Sequence, residues 1–222
     1  MMFKTVGRNP LVGIIASFVA VFAGFSANVF IAGTDLLISG ISTEVVQSVR
    51  PDHEVSVLAN WFFMCVSVPL ITCIITVITH KYAEPALQRF SHSGEDAAEP
   101  VTAELSDTEQ RALRRTGIVA LLFIYSGSAQ WALMAPVFLP MLMGLEPEAV
   151  QAAYRIADSS TNVISPITPY LPLILAFIHS YSPRFTIGNL LATALPYSLA
   201  ILSGWIVLFF VWYALGLPFG IY

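Results

Sequence analysis

The chain has 222 residues, 56% of them hydrophobic and 11% charged, with a formal net charge of −4 and a mean hydropathy of +0.75. An ordinary soluble domain carries roughly a quarter charged residues, so this composition cannot supply a water-facing surface. The ten basic residues also form no surface suited to nucleic acid.

Five uncharged runs follow one another along the chain: Asn9–Thr34, Val55–Thr79, Thr116–Leu145, Ser159–Ser182 and Phe185–Tyr222. Each exceeds the ~20 residues needed to cross the hydrocarbon core of a bilayer. The expected architecture is therefore an all-α integral membrane protein with about five membrane-crossing segments, residues 1–222 forming one transmembrane domain. The first run is too long for the apolar core of a secretory signal, and no small-residue cleavage pattern follows it. Cys65 and Cys73 lie in one run, eight residues apart. That is about 12 Å along a helix, too far for a disulfide, so they read as packing residues.

Residues 81–115 form the one long polar stretch. Its middle is acidic and rich in Ser, Ala and Pro, with little drive to order. Its end carries Ser106 three residues before Glu109, the pattern of a capped helix start. Lys4 and Arg8 precede the first run, and Lys81, Arg89, Arg111, Arg114 and Arg115 fall in the polar stretch, whereas 35–54 contains Arg50 alone. The bias of basic residues towards the cytoplasm puts the N-terminus and the 81–115 loop inside and 35–54 outside. Residues 116–145 read either as one span or as a re-entrant hairpin; one span would leave the C-terminus outside.

Two runs do not read as plain helices. In the first, AGFSAN separates Pro10–Phe22 from VFIAGTDLLISGIS; in the fourth, DSSTNVISPITP separates an amphipathic start from LPLILAFI. Both interruptions contain Ser-x-Asn-Val, at 26–29 and 160–163. Paired broken spans point to a repeat-built transporter with its site at the breaks. Pro166, Pro169 and Pro172 recur every third residue and favour an unwound segment.

Gln151, Arg155, Asp158 and Asn162 fall within about 60° of one helix face. Ionisable groups at bilayer depth mark a functional site unless they serve only to neutralise each other. Arg155 and Asp158, three residues apart, can pair, which leaves an internal ion pair for packing as the plain reading. In the functional reading Arg155 takes a substrate carboxylate in its bidentate fork, Asp158 carries a coupling proton, and Asn162 supplies hydrogen bonds at the break. Asp35 ends the first broken run and reads either as a flanking surface carboxylate or as part of the site. In SGSAQWALMAPVFLP (126–140) the small residues 126–130 suggest a tight reversal between half-length helices. Trp131 is then an interfacial anchor or an aromatic face for a ring-bearing substrate. His53, His80, His92 and His179 are scattered without metal-ligand spacing, and no nucleophile–base set or phosphate loop is present, so an enzyme is not expected.

The stretches NPLVGIIASFVAVFAGFSANVFIAGTD, ANWFFMCVSVPL with the AEP that follows, GSAQWALMAPVFLPMLM and QAAYRIADSSTNVISPITPYLPLILAF resemble the AbgT family of bacterial inner-membrane transporters. That family is associated with p-aminobenzoyl-glutamate uptake and, in some members, efflux of sulfonamide antimetabolites. The resemblance implies a multi-pass, dimeric secondary transporter of the inner membrane, with re-entrant hairpins and broken helices. It moves a small anionic aromatic substrate coupled to H⁺ or Na⁺, with no other cofactor. By motif match it implicates Asp35, Ser128, Trp131, Pro147, Arg155, Asp158 and Pro166. Substrate contacts are expected from Arg155, Trp131, Ser128, Asn162, Pro166 and Pro147, and ion coupling from Asp158 and Asp35. Family members are about twice as long. The resemblance leads one to expect opening helices and a first hairpin before Asn9, and LSDTEQRALRRTGIVALL runs straight into the second hairpin as if several helices were deleted. The alternative is therefore a transport-incompetent remnant, or a small subunit that partners a longer homologue.

Overall fold

The structure, a computed structural model, describes residues 7–88, 127–142, 144–166 and 170–221, together with Phe3, Phe90 and Thr168. The helix start at Ser106–Glu109, most of the 81–115 loop, the opening of the 116–145 stretch and Pro169 lie outside the described residues. All regular structure among the described residues is helical. The helices are α1 (Pro10–Ala23), α2 (Gly33–Gln47), α3 (Trp61–Ile78), α4 (Glu84–Leu87), α5 (Gly127–Met141), α6 (Pro147–Asn162), α7 (Leu171–His179) and α8 (Ile187–Ala214).

Among the described residues, two helical stretches are long and apolar enough to cross a membrane unaided. The first is Trp61–Leu87, 27 residues made of α3, the π-turn Thr79–Ala83 and α4; the second is the 28-residue α8. The first carries its helix past Lys81, so the polar stretch begins later than its composition suggests. Two of the remaining uncharged runs are divided among shorter helices. Asn9–Thr34 splits after Ala23 into a 3₁₀ turn (Gly24–Ser26) and extended backbone before α2. Of Ser159–Ser182, the described residues comprise the end of α6, the nine-residue α7 and, between them, non-helical backbone at 163–166, 168 and 170. Pro172 falls in the first turn of α7, where a missing N–H leaves no bond unmade.

Residues 127–130, expected to reverse the chain, instead form the first turn of α5. Helix N-termini leave amides without intrahelical partners, and small polar residues suit that position. Cys65 is half-buried and Cys73 exposed on α3, both as free thiols.

α1 starts where Asn9 Oδ1 accepts the Leu11 N–H at 3.0 Å and Pro10 takes the first helical position. The Asn9 side-chain amide also donates to the Leu87 carbonyl at 3.0 Å, and Arg8 pairs with Glu84 at 2.7 Å. The start of α1 and the end of α4 therefore share one end of the molecule. The C-terminal segment lies at the other end of α3. The Phe63 N–H donates to the Phe219 carbonyl at 3.2 Å, and the Ile221 N–H to the Leu58 carbonyl at 3.1 Å.

Two apolar cores result. The larger joins α1, α3, α6, α7 and α8 around Ile15, Phe63, Ile156, Leu190, Tyr197 and Trp205. The smaller joins α2, α5 and the strap between α2 and α3 around Ile38, Val55, Trp131, Ala135 and Leu139. α6 touches both, through Ala152 and Ile156 on one side and Val150 on the other.

A Cβ on Gly220 would sit 1.7 Å from the Leu58 carbonyl oxygen, a backbone atom that cannot give way. On Gly204 it would meet the mobile tip of Ile74 at 2.5 Å. Gly220→Ala is expected to cost about 1–3 kcal/mol through overpacking, and Gly204→Ala clearly less. Thermal unfolding of the two variants in detergent would compare them.

Candidate functional site

The first helix break places its carboxylate by satisfying its own backbone. Inside a membrane every freed N–H and C=O must find a partner, and the break around residues 27–32 finds them locally. The Trp61 indole N–H donates to the Val29 carbonyl at 2.8 Å, and the Asn28 amide donates to the Phe30 carbonyl at 2.6 Å. Asp35, third residue of α2, reaches back so that its Oδ2 accepts the Ala32 N–H at 2.7 Å and the Asn28 amide at 3.2 Å. The second break closes through turns: Ile164 N–H to the Thr161 carbonyl at 3.1 Å, and Leu171 N–H to the Thr168 carbonyl at 3.0 Å. Ser198 of α8 donates to the Ser160 carbonyl at 2.8 Å.

Arg155, in the middle of α6, reaches the first break. Its Nη1 donates to Asp35 Oδ1 at 2.6 Å, with Arg155 5% and Asp35 1% exposed. The sequence pairs Arg155 with Asp158, its neighbour one turn on; the structure pairs it with Asp35, 120 positions away. Asp35 reaches the guanidinium across the α2–α6 interface, while Asp158 is engaged by Asn162 on its own helix. The alternative of a surface carboxylate at Asp35 is thereby overturned. Nη1 also approaches Met64 Sδ at 3.2 Å, while Arg155 Nε is buried without a hydrogen-bond partner. Asp158 has the Asn162 side chain as its hydrogen-bond partner and lies within the field of Arg155.

The polar stripe of α6 is buried throughout: Gln151, Arg155, Asp158 and Asn162 are all 8% exposed or less. Gln151 accepts a hydrogen bond from Asn60 at 2.9 Å. The Trp131 indole N–H donates to Ser42 Oγ at 2.9 Å, and its ring lies 4.6 Å from that of Tyr154, which precedes Arg155. At 1% exposure Trp131 is enclosed by protein, so the interfacial-anchor reading does not apply. Pro147 is buried at the first position of α6, Pro166 is exposed in the second break, and Ser128 sits in the first turn of α5 with its side chain outside the described residues.

Asn28, from the first Ser-x-Asn-Val, belongs to this neighbourhood, as do Asn60, Met64 and Glu148, which were not singled out from the sequence. Of those three, Glu148 alone left a readable signal, since it extends the Gln151–Asn162 stripe one turn upward, within an arc of about 80°. Among the described residues no group of three or more His, Cys, Asp or Glu is placed to hold a metal ion.

Membrane-length apolar helices, two helix breaks, and a buried ion pair at the first of them define a class: membrane-embedded helical transporters built around discontinuous helices. The chain belongs to the AbgT putative transporter family, whose model matches residues 1–125 and 120–222. It is 25% identical to the p-aminobenzoyl-glutamate transport protein of Escherichia coli K12, over 99% of this chain and 68% of that protein. That alignment runs over 351 positions against the 222 residues here, so the relative carries well over a hundred internal positions with no counterpart. The crystal structure of the Alcanivorax borkumensis YdaH transporter, described as having an unusual topology, matches with a TM-score of 0.79 and 27% identity, covering all of this chain and 73% of that one. Neisseria gonorrhoeae MtrF, from a class of antimetabolite efflux pumps, matches with a TM-score of 0.70 and 26% identity, covering 95% and 68%.

Leaving one buried charge without its partner costs far more than removing both, about 3–5 kcal/mol for the single loss. Asp35→Leu and Arg155→Met are each expected to destabilise by about that much. The double variant is expected to recover most of the loss. Thermal unfolding of all four proteins in detergent forms the cycle that measures this coupling.

Proposed function

We propose that the chain is an ion-coupled secondary transporter of anionic aromatic amides of the p-aminobenzoyl-glutamate type, or of sulfonamide-like antimetabolites, in a bacterial inner membrane. The substrate class follows the names borne by its relatives. The observation that carries the reading is the buried pair of Arg155, on α6, with Asp35 at the first helix break. A guanidinium at such a point can exchange an internal carboxylate for a substrate carboxylate at little electrostatic cost, because each neutralises the same charge. The unpartnered Nε offers a further donor to an incoming anion.

Coupling follows from the same exchange. When substrate takes Arg155, Asp35 loses its cation and becomes a site for a proton or Na⁺; Asp158, beside Asn162, is the second carboxylate in reach. Trp131 and Tyr154 present their rings to substrate only when α5 parts from α6, so ring stacking belongs to an opened state. Asn162 and Pro166 flank the second break, and Ser128 and Pro147 begin the two helices that would separate. Charge asymmetry puts the N-terminus and polar loop in the cytoplasm, and the C-terminal segment, at the far end of α3, outside.

A second reading, a small subunit completed by a second copy or a longer relative, has a specific observation in its favour. Val29, Phe30 and Ile31 lie in the unwound break, and Phe30 is 86% exposed among the described residues. Irregular backbone is not stable against lipid, so protein from elsewhere should cover this segment.

In proteoliposomes holding the 222-residue chain alone, substrate movement should require an ion gradient. Arg155→Ala should reduce it by more than ten-fold, with the folded protein confirmed by its elution profile. Undiminished transport by Arg155→Ala would refute the role of the arginine. No transport by the chain alone, with transport regained when a longer relative is co-reconstituted, would establish the second reading.

A further inference from the structure

Glu148 has no part in the function proposed above, yet it is 2% exposed and its Oε1 has no hydrogen-bond partner. His53 Nε2 lies 3.5 Å from that oxygen. Nε2 is likewise buried and without a hydrogen-bond partner, although 36% of the His53 side chain is exposed. A buried acceptor left unsatisfied costs free energy, and here the facing atom belongs to the one side chain type that ordinarily changes charge near neutral pH. The exposed part of the ring gives a proton a route from water; the buried nitrogen aims it at the carboxylate.

The two residues are held firmly in register. Val55, two positions after His53, has its carbonyl bonded by Ser39 Oγ at 2.6 Å and donates its N–H to Thr43 Oγ1 at 3.0 Å, both on α2. The His53 N–H donates to the Arg50 carbonyl at 3.1 Å. The strap carrying His53 is thus tied to α2. Glu148 is on α6, two turns before Arg155 and on the same face. α2 and α6 are therefore linked at two levels: directly by Asp35–Arg155, and through the strap by His53–Glu148. Besides Asp35 and Arg155, the charged groups on the surrounding elements are Arg50, Asp52 and Glu54 on the strap, Glu44 on α2, Glu146 at the start of α6 and Asp158 further along it. Acids predominate, so a cationic imidazole meets mostly opposite charge.

We propose that His53 and Glu148 form a proton-binding site, a second clamp between the two broken segments that closes when His53 is protonated and loosens when it is neutral. Protonation turns a weak contact into a charge-assisted hydrogen bond. Loosening the clamp leaves Asp35–Arg155 as the remaining charged link between α2 and α6.

The test uses the purified full chain in detergent without substrate, so a chain that does not transport still answers it. Thermal midpoints are measured at pH about 5.5 and about 8, on either side of the imidazole range. The wild-type midpoint should fall by about 2–4 °C at the higher pH. His53→Lys, cationic at both, should hold a midpoint that varies much less with pH. Glu148→Gln should have a low midpoint and lose the wild-type response. If Glu148→Gln does not fold, His53→Asn makes the same comparison from the partly exposed side. A wild-type midpoint indifferent to pH, or a full wild-type response in Glu148→Gln or His53→Asn, would overturn the proposal.

Discussion

Asp35 does two things with one carboxylate, and the structure depends on both. Oδ2 accepts the Ala32 N–H and so closes the start of α2, while Oδ1 neutralises Arg155 on α6. An uncompensated guanidinium at this burial would be very costly in a membrane, so α6 can carry Arg155 only where the first break delivers Asp35. The break in turn needs Asp35 to satisfy backbone that helix geometry has released. Neutralising the charge and interrupting the helix are one interaction seen from two sides. Any anion that draws Arg155 away from Asp35 therefore also alters the segment around residues 27–32.

The helix breaks were legible because they interrupt apolar periodicity with Ser, Asn, Gly and Pro, and a chain in lipid has few other reasons to do so. The stripe on α6 was legible because a helix converts spacing into direction: residues 151, 155, 158 and 162 had to share a face, and all four are buried. The partner of Arg155 was not. Spacing describes neighbours within a helix, and nothing local to Asp35 marks it as crossing to a helix 120 residues on. The same limit hid Asn60 and Met64, which reach the stripe from the start of α3. Trp131 was legible as unusual but not as enclosed, because its cover comes from Tyr154 and Ser42 on two other helices. Residues 127–130 misled because small polar residues suit a reversal and a helix start equally well.

The internal shortening relative to the Escherichia coli protein bears on how the small core is sheltered. Leu36, Leu37, Leu133, Val137 and Met141 stand exposed on α2 and α5, alongside Phe30 in the break. Apolar side chains on intact helices need only lipid around them. The break is different, since its backbone has left the helical bonding pattern and tolerates lipid poorly. The demand for protein cover is therefore confined to a short segment next to Asp35, where a covering chain would also shield the ion pair from water.

The seam between the two cores is the natural place for motion. Within each core the contacts are apolar and interdigitated, with Phe63 edge-on to Trp212 in one and Trp131 against Tyr154 in the other. Across the seam run polar links, among them Asp35–Arg155, the His53–Glu148 contact and the Trp61 hydrogen bond to the Val29 carbonyl. Close-packed apolar surfaces resist sliding, whereas polar pairs can be replaced by water, an ion or a ligand with the same hydrogen-bonding groups. A fold divided in this way yields along its polar seam first. The α2–α5 pair would then move as a body against α1, α3, α7 and α8, with α6 the element whose bonds change. Arg155 thus lies on the helix that both cores share, with its ion-pair partner Asp35 on the α2 side of the seam.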